Sequence, residues 1–248
     1  MKNIGIDLGS RYVKMVKANR DDLEFQRFDT VSFYKQFIAR DNDKTYIDID
    51  KLGIDKEYKI VATGYGRNLM SFANAEIISE IKAHFRGALR QTGEDSFILI
   101  DIGGQDSKVI LGKEGYIEDF IMNDKCAAST GRFAENACSV LGITIDELAN
   151  MDKEPANLSS TCAVFCESEL IGLMASGIEI ESIASGVNKS IAKRLLPLIK
   201  TYKSDKIFAS GGVASNKSLI YYISELLGTE IKPLQNPQYN GALGCLPL

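Results

Sequence analysis

The sequence has 248 residues, of which 45% are hydrophobic and 25% charged, with 21 Gly, 5 Pro and a formal net charge of -4. This length suits one or two domains, and the composition excludes a disordered, collagen-like or low-complexity chain. Acidic and basic residues are interspersed and no apolar run reaches the roughly 18 residues of a membrane span, so we expect neither nucleic-acid nor membrane partners.

The rare residue types narrow the chemistry further. His84 is the single histidine, which excludes a His-rich zinc site and leaves a Ser-His-Asp triad dependent on that one side chain. The first residues lead directly into a strand-like segment without the apolar core of a signal peptide. The five cysteines are therefore not expected to form a disulfide framework, and we expect a reducing, cytoplasmic location.

Hydrophobic periodicity predicts the elements in chain order. The first strand ends at Asp7 and a second follows near Lys14, then strands over 23–28 and 58–63 and a helix near 77–90. Beyond a boundary near residue 93, a strand ends at Asp101 and another follows. Helices are predicted over about 133–141, 164–175, 183–198 and 216–227, with a short strand over 206–210.

Two segments of the chain repeat one pattern. When Asp7 is aligned with Asp101, a Gly stands two residues after each Asp and a Lys seven residues after it. Each copy is typical of a strand that ends in Asp, a Gly-containing turn and a return strand. We therefore predict two related α/β lobes, residues 1–93 and 94–236, with a tail over 237–248 that returns towards the first lobe.

A strand-end Asp beside a Gly-rich turn suits a nucleotide triphosphate. Glycine lets backbone N–H groups approach phosphate oxygens, and the carboxylate can hold Mg²⁺, usually through water. A third Gly-rich turn, over 210–216, lies between a strand and a helix and could receive adenosine. The alternative is that each turn is an ordinary connection.

The three turns read Asp-Leu-Gly-Ser, Asp-Ile-Gly-Gly-Gln and Ser-Gly-Gly-Val-Ala-Ser-Asn. They resemble the two phosphate motifs and the adenosine motif of the actin, Hsp70 and sugar-kinase superfamily. Two cysteine segments, 123–133 and 159–169, are similar to the ATP-dependent activators of 2-hydroxyacyl-CoA dehydratases and the ATPase subunits of benzoyl-CoA reductases. This resemblance extends over nearly the whole chain. It implies a two-lobed α/β fold of the actin-like ATPase kind, with duplicated RNase H-like lobes and the nucleotide in the interlobe cleft.

The resemblance also implies site residues. Asp7 and Asp101 would be catalytic and would hold Mg²⁺ through water, and Gln105 would orient the attacking water or else be a solvated turn residue. The implied nucleotide-binding residues are Gly9, Ser10, Arg11, Tyr12, Val13, Lys14, Gly103, Gly104, Gly211, Gly212, Ser215, Asn216 and Gln238.

Cys126 and Cys162 each precede a predicted helix, whose N-terminus favours anions such as cluster thiolates. Two cysteines fall short of the four that a cubane needs. The resemblance implies one 4Fe-4S cluster that bridges a homodimer, with Cys126 and Cys162 of each chain as ligands. Cys138 and Cys245 are interpreted as buried packing residues, and Cys166 as either packing or an alternative ligand.

The function that the resemblance implies is an oxygen-sensitive, anaerobic electron-transfer activator. It would hydrolyse ATP to donate a low-potential electron to a 2-hydroxyacyl-CoA dehydratase or a related iron-sulfur enzyme, and ferredoxin or flavodoxin would reload it. The alternative is a small-molecule kinase of the same superfamily without a cluster. A third interpretation is a non-catalytic actin-like scaffold.

Overall fold

Two separate hydrophobic cores divide the chain into two units. The computed structural model describes residues 2–19, 22–42, 44–159 and 162–248. Unit 1 comprises Met1–Asp95 and Leu234–Leu248, and unit 2 comprises Ser96–Pro233. Among the described residues, no helix is both long and apolar enough to cross a membrane.

Unit 1 is built on a five-stranded sheet in the order β3-β2-β1-β6-β7. Its strands are β1 (Lys2–Leu8), β2 (Tyr12–Asn19), β3 (Asp22–Asp29), β6 (Lys59–Thr63) and β7 (Glu76–Ile77), and β4 (Ile38–Asp41) pairs with β5 (Lys44–Ile47) in a separate ribbon. The helices are α1 (Thr30–Phe37), α2 (Glu80–Thr92) and the C-terminal α8 (Asn240–Gly244), which packs against α2 and β1. Ser79 caps the start of α2 and Gly93, at φ 69°, ends it.

Unit 2 is built on a second five-stranded sheet in the order β10-β9-β8-β11-β12. Its strands are β8 (Phe97–Ile102), β9 (Ser107–Lys113), β10 (Tyr116–Asn123), β11 (Ile207–Ser210) and β12 (Lys232–Pro233). Its helices are α3 (Gly131–Leu141), α4 (Ile145–Leu148), α5 (Ala163–Ala175), α6 (Ile180–Ile199) and α7 (Lys217–Leu227). The apolar faces of α3, α6 and α7 cover the core side of β8, whose six residues are all buried.

The two sheets repeat one another strand for strand. In each, a first strand pairs antiparallel with the second and parallel with a later strand, as β1 does with β2 and β6, and as β8 does with β9 and β11. The register places Asp7 opposite Lys14 in one sheet and Asp101 opposite Lys108 in the other. The predicted pair of related α/β lobes is therefore confirmed.

One predicted local structure differs from the observed one. Cys162 lies directly before α5, as expected, but a 3₁₀ turn over Ala127–Ser129 separates Cys126 from α3. Thr130 adopts an extended backbone, with φ −130° and ψ 172°, so the α-helix cannot begin before Gly131. Cys126 therefore begins a tight turn rather than α3 itself.

Candidate functional site

The first phosphate turn begins at a buried carboxylate. Asp7 is 4% exposed at the end of β1, between Lys14 of β2 and Thr63 of β6. The ammonium Nζ of Lys14 lies 3.1 Å from Oδ2 of Asp7. A buried carboxylate needs such a partner because desolvation of an isolated charge is costly.

Glycines leave the space around the Asp7 carboxylate clear of side chains. Gly64 has φ +93°, and a Cβ there would lie 2.6 Å from Oδ1 of Asp7. A Cβ on Gly241 of α8 would lie 3.1 Å from Oδ2 of Asp7 and the same distance from Nε2 of His84. Side chains added at either position would crowd the Asp7 carboxylate.

Alanine at position 64 is therefore expected to destabilise the protein by about 3 kcal/mol or more, because it combines an unfavourable φ with overlap against the Asp7 carboxylate and the backbone of Leu8. Gly53 is the matched control: its φ is +70°, yet a Cβ there would meet nothing within 4 Å. Gly53→Ala should cost only about 1 kcal/mol. Urea unfolding of both variants measures the difference. Equal losses would show that both the Asp7 carboxylate and the Leu8 backbone can shift to admit the methyl group.

The second phosphate turn contains two carboxylates and one ammonium group. Asp101 is 2% exposed, and its Oδ1 accepts a hydrogen bond of 2.7 Å from Oγ of Ser210. Nζ of Lys108 lies 3.6 Å from Oδ2 of Asp101 and 2.7 Å from Oδ2 of Asp106. Two carboxylates around one buried lysine leave a net negative charge, which favours a bound cation.

The residues of both turns fit Mg²⁺. The ion prefers oxygen ligands, keeps several waters and is commonly held by one or two carboxylates together with substrate phosphates. Asp7 and Asp101 are strand-end carboxylates, and the space beside Asp7 is kept open by glycine. When bound, Mg²⁺ would neutralise phosphate charge.

The Asp101 turn is tied to the start of α3 by main-chain hydrogen bonds. The carbonyls of Gly103 and Gly104 accept from the N–H groups of Gly131 and Arg132, at 3.0 and 2.9 Å. Gly103 itself donates to the carbonyl of Asp106 at 2.9 Å. A displacement of this turn must therefore move the first residues of α3.

Cationic side chains surround the first turn. The guanidinium carbons of Arg11 and Arg27 each lie 4.7 Å from the centre of the Tyr12 ring. Arg11 also pairs with Asp29 at 2.5 Å, and Arg27 donates to Oε1 of Gln238 at 2.7 Å. The predicted residues Arg11, Tyr12 and Gln238 thus belong to one connected group of unit 1, and phosphate recognition is the chemistry that its charge suits.

The other predicted nucleotide contacts differ in accessibility. Ser10 is half-buried, whereas Gln105, Gly212 and Ser215 are exposed. Their roles stay predictions.

Two of the predicted nucleotide-binding residues have side chains that pack or hydrogen-bond within the protein. Val13 is fully buried, so its side chain cannot reach a ligand. Oδ1 of Asn216 caps α7 by accepting from the N–H of Leu219, and its Nδ2 donates to Oδ1 of Asn188, both at 2.8 Å. A nucleotide contact by Val13 would use its main chain.

The Cys126 loop is held by one asparagine. Oδ1 of Asn123 accepts from the N–H of Cys126 at 3.2 Å, and its Nδ2 donates to the Cys126 carbonyl at 3.0 Å and to Oγ of Ser129 at 2.9 Å. Oγ of Ser107, the first residue of β9, donates to the Ser129 carbonyl at 2.7 Å. The loop is therefore fixed to the strand that follows the second phosphate turn, while its thiol remains exposed.

The five cysteines fall into two groups. Cys126 is exposed and Cys162 half-buried, and Ser160 and Thr161, which precede Cys162, lie outside the described residues. Burial raises the pKa of Cys138 and of Cys166 to about 11 and raises that of Cys245 further, so these three stay protonated near neutral pH. The prediction that Cys138 and Cys245 are buried is confirmed, and Cys166, 1% exposed, also packs in the core.

Two of the five cysteines are accessible, which is half the number of ligands that a cubane cluster needs. In the described part of the chain, no three His, Cys, Asp or Glu side chains come together as a metal site. Cys126 and Cys162 both belong to unit 2. The helices that follow them in the chain, α3 and α5, pack against each other. A cubane held by these two cysteines would need two further ligands from outside the chain.

Sequence reasoning missed two hydroxyl groups, those of Thr63 and Ser210. Each ends a strand directly beside a phosphate-turn carboxylate, as the pairing of Asp7 with Thr63 and of Asp101 with Ser210 shows. The sequence feature that could have identified them is a hydroxyl residue at the end of a strand followed directly by Gly, as in β6 and β11. The structure also assigns Asn123 a role that the motif containing it did not reveal.

This strand order and the paired Asp turns define an actin-like ATPase fold. The structure superposes on ADP-bound MreB5 of Spiroplasma citri with a TM-score of 0.57 at 12% identity, over 98% of this chain and 94% of that one, a likeness of fold alone. The chain belongs to the BadF/BadG/BcrA/BcrD ATPase family, which matches residues 4–246. The resemblance in the cysteine segments is thereby confirmed.

Relatives in this family carry specific names. The activator of lactoyl-CoA dehydratase from Anaerotignum propionicum is 40% identical over 258 residues, spanning 99% of this chain and 96% of the relative. The ADPNP-bound activator of 2-hydroxyisocaproyl-CoA dehydratase from Clostridium difficile superposes with a TM-score of 0.85 at 32% identity. That alignment covers 99% of this chain and 92% of the solved one.

Proposed function

We propose that this protein is an ATP-hydrolysing activator that passes a low-potential electron to an iron-sulfur enzyme, a 2-hydroxyacyl-CoA dehydratase or a related reductase. Family membership and the named activators support the ATP-dependent activator role. The paired carboxylate turns support nucleotide hydrolysis. The two accessible cysteines, separate from the three buried ones, support a cluster.

In the proposed reaction, each phosphate turn offers backbone N–H groups to phosphate oxygens, and the half-buried Lys14 adds a positive charge to the first turn. Lys108 is 3% exposed and holds Asp101 and Asp106 instead. Asp7 and Asp101 would hold Mg²⁺ through water, and the ion would neutralise phosphate charge; Gln105, exposed on its turn, would orient the water that attacks the γ-phosphate. Gly211 and Ser215 lie on the adenosine side. These groups act mainly by position and charge, since phosphoryl transfer asks little covalent chemistry of the protein.

The observation that carries the proposal is the direct connection between the second phosphate turn and the Cys126 loop. The turn bonds to the first residues of α3, and the adjoining strand β9 bonds to the loop through Ser107. Loss of the γ-phosphate would shift the turn and, with it, the loop that bears Cys126. ATP hydrolysis can therefore alter the protein around the thiol through the start of α3 and the first residue of β9.

We propose that Cys126 and Cys162 of two chains hold one 4Fe-4S cluster, so that the protein acts as a homodimer. When bound, the cluster supplies one-electron transfer at low potential. The exposed loop of Cys126 and the half-buried thiol of Cys162, at the start of α5, are the groups that a second chain can approach. We further propose a cytoplasmic, anaerobic setting, with ferredoxin or flavodoxin as the donor.

The test is iron and sulfide content, together with the visible spectrum, on protein purified without air. About four irons per dimer, and a brown colour that bleaches in air, are expected. A donor-reduced sample should then pass electrons to a viologen dye or a dehydratase faster with ATP than with ADP. A colourless monomer that hydrolyses ATP, and takes up no iron on reconstitution, would instead favour a kinase.

A further inference from the structure

Thr63 carries a buried hydroxyl group that nothing in the structure satisfies. The residue is 0% exposed at the end of β6, and its Oγ1 has no hydrogen-bond partner. It is one of only three such side-chain atoms in the described parts of the chain. Buried hydroxyls are normally hydrogen-bonded, because losing water without a replacement is unfavourable.

The equivalent hydroxyl of unit 2 does have a hydrogen-bond partner. Ser210 ends β11 as Thr63 ends β6, and it pairs in register with Asp101 as Thr63 pairs with Asp7. A left-handed glycine follows each, Gly64 at φ +93° and Gly211 at φ +87°. Oγ of Ser210 donates to Oδ1 of Asp101 at 2.7 Å.

Lys14 contacts the second carboxylate oxygen of Asp7, as Lys108 contacts that of Asp101. The Nζ of Lys14 lies 3.1 Å from Oδ2 of Asp7, and also 3.0 Å from the position that a Cβ on Gly9 would take. The ammonium group of Lys14 is thus close both to the Asp7 carboxylate and to Gly9 of the first phosphate turn. A polyphosphate at that turn would attract Lys14 and leave Asp7 in need of another hydrogen-bond donor.

We propose that Thr63 is a positioning residue for Asp7: when Mg·ATP or Mg·ADP binds, its hydroxyl donates to the Asp7 carboxylate, as Ser210 does to Asp101. The bond fixes the orientation in which Asp7 holds water on the metal ion. This inference rests on the proposed nucleotide function and names one more residue of the same site.

The test compares Thr63→Val, which replaces the hydroxyl by a methyl group of the same shape, with Thr63→Ser, which keeps the hydroxyl. ADP binding is measured by calorimetry with Mg²⁺ and again in EDTA. Thr63→Val should bind Mg·ADP about 10-fold more weakly and bind metal-free ADP unchanged, whereas Thr63→Ser should match the wild type. Thr63→Ala serves if the valine variant does not fold.

Thermal unfolding without nucleotide separates positioning from a structural role. Thr63→Val should unfold at the wild-type temperature or above it, since no hydrogen bond is lost. Thr92→Val is the control for hydroxyl removal elsewhere in unit 1. It loses a 2.8 Å bond to the Ala88 carbonyl, so it should be less stable, with Mg·ADP binding unchanged.

The dependence on Asp7 is tested in an Asp7→Asn background, where Thr63→Val should produce much less than its 10-fold effect. A full effect in that background, equal weakening of metal-free ADP, or wild-type affinity in Thr63→Val would each overturn the inference and leave the proposed function standing. A wild-type protein that binds no ADP would overturn the proposed function, and this inference with it.

Discussion

The Cys126→Ala variant is expected to lose ATP-driven electron transfer by at least about 100-fold, because half of each chain's cluster ligands would be removed. Iron content should fall from about four per dimer towards zero. Nucleotide binding should survive, since Cys126 is exposed and its loop is held by the side chain of Asn123 rather than by the thiol. Iron analysis, electron transfer to a dye and ADP calorimetry measure the three quantities.

Cys166→Ala is the matched control for this prediction. Cys166 lies one helical turn beyond Cys162, but it is buried, and its pKa of about 11 keeps the thiol protonated. Its replacement should cost some stability through lost packing and leave the iron content unchanged. Full iron content in Cys126→Ala would contradict the proposed ligand set, and iron loss in Cys166→Ala would make that residue a ligand.

The Asp101→Asn variant is expected to hydrolyse ATP about 100- to 1000-fold more slowly, because the amide removes the charge that would orient metal-bound water. Its fold should persist. Lys108 keeps Asp106 at 2.7 Å, and the amide oxygen can still accept from Ser210. Phosphate release at saturating Mg·ATP gives kcat, and a loss in kcat rather than in KM would place the effect on the reaction step.

Asp106→Asn is the control for Asp101→Asn, because it removes the other carboxylate charge that contacts Lys108. Lys108 would keep Asp101, 3.6 Å away, so the catalytic charge would remain and hydrolysis should fall less than about 10-fold. Similar losses in the two variants would show that the charge of the whole cluster matters, rather than Asp101 in particular.

The sequence predicted much of the fold because its signals are local. Apolar strands that end at Asp7 and Asp101, and the glycine that ends α3, are visible in short windows. The positions of the carboxylates in the site follow from the same pattern. Membership of the family was equally accessible, because it rests on continuous segments around the cysteines.

The remaining features depend on pairing between distant parts of the chain. Thr63 and Ser210 become site residues only because β6 and β11 lie beside β1 and β8. The hydrogen bond that the Asn216 amide donates to Asn188, on another helix, likewise depends on contact between distant segments. The 3₁₀ turn after Cys126 depends on the extended backbone of Thr130, which helical periodicity does not reveal.

The hydrogen bonds between the second phosphate turn and the Cys126 loop also have a thermodynamic consequence. Coupling between two equilibria is reciprocal. If the bound nucleotide stabilises one oxidation state relative to the other, then the two oxidation states must differ in nucleotide affinity by the same free energy. Reduced and oxidised protein would then hold ATP and ADP with different strengths. The same short connection through Ser107 and Gly131 would let the charge of the proposed cluster change the affinity for ADP.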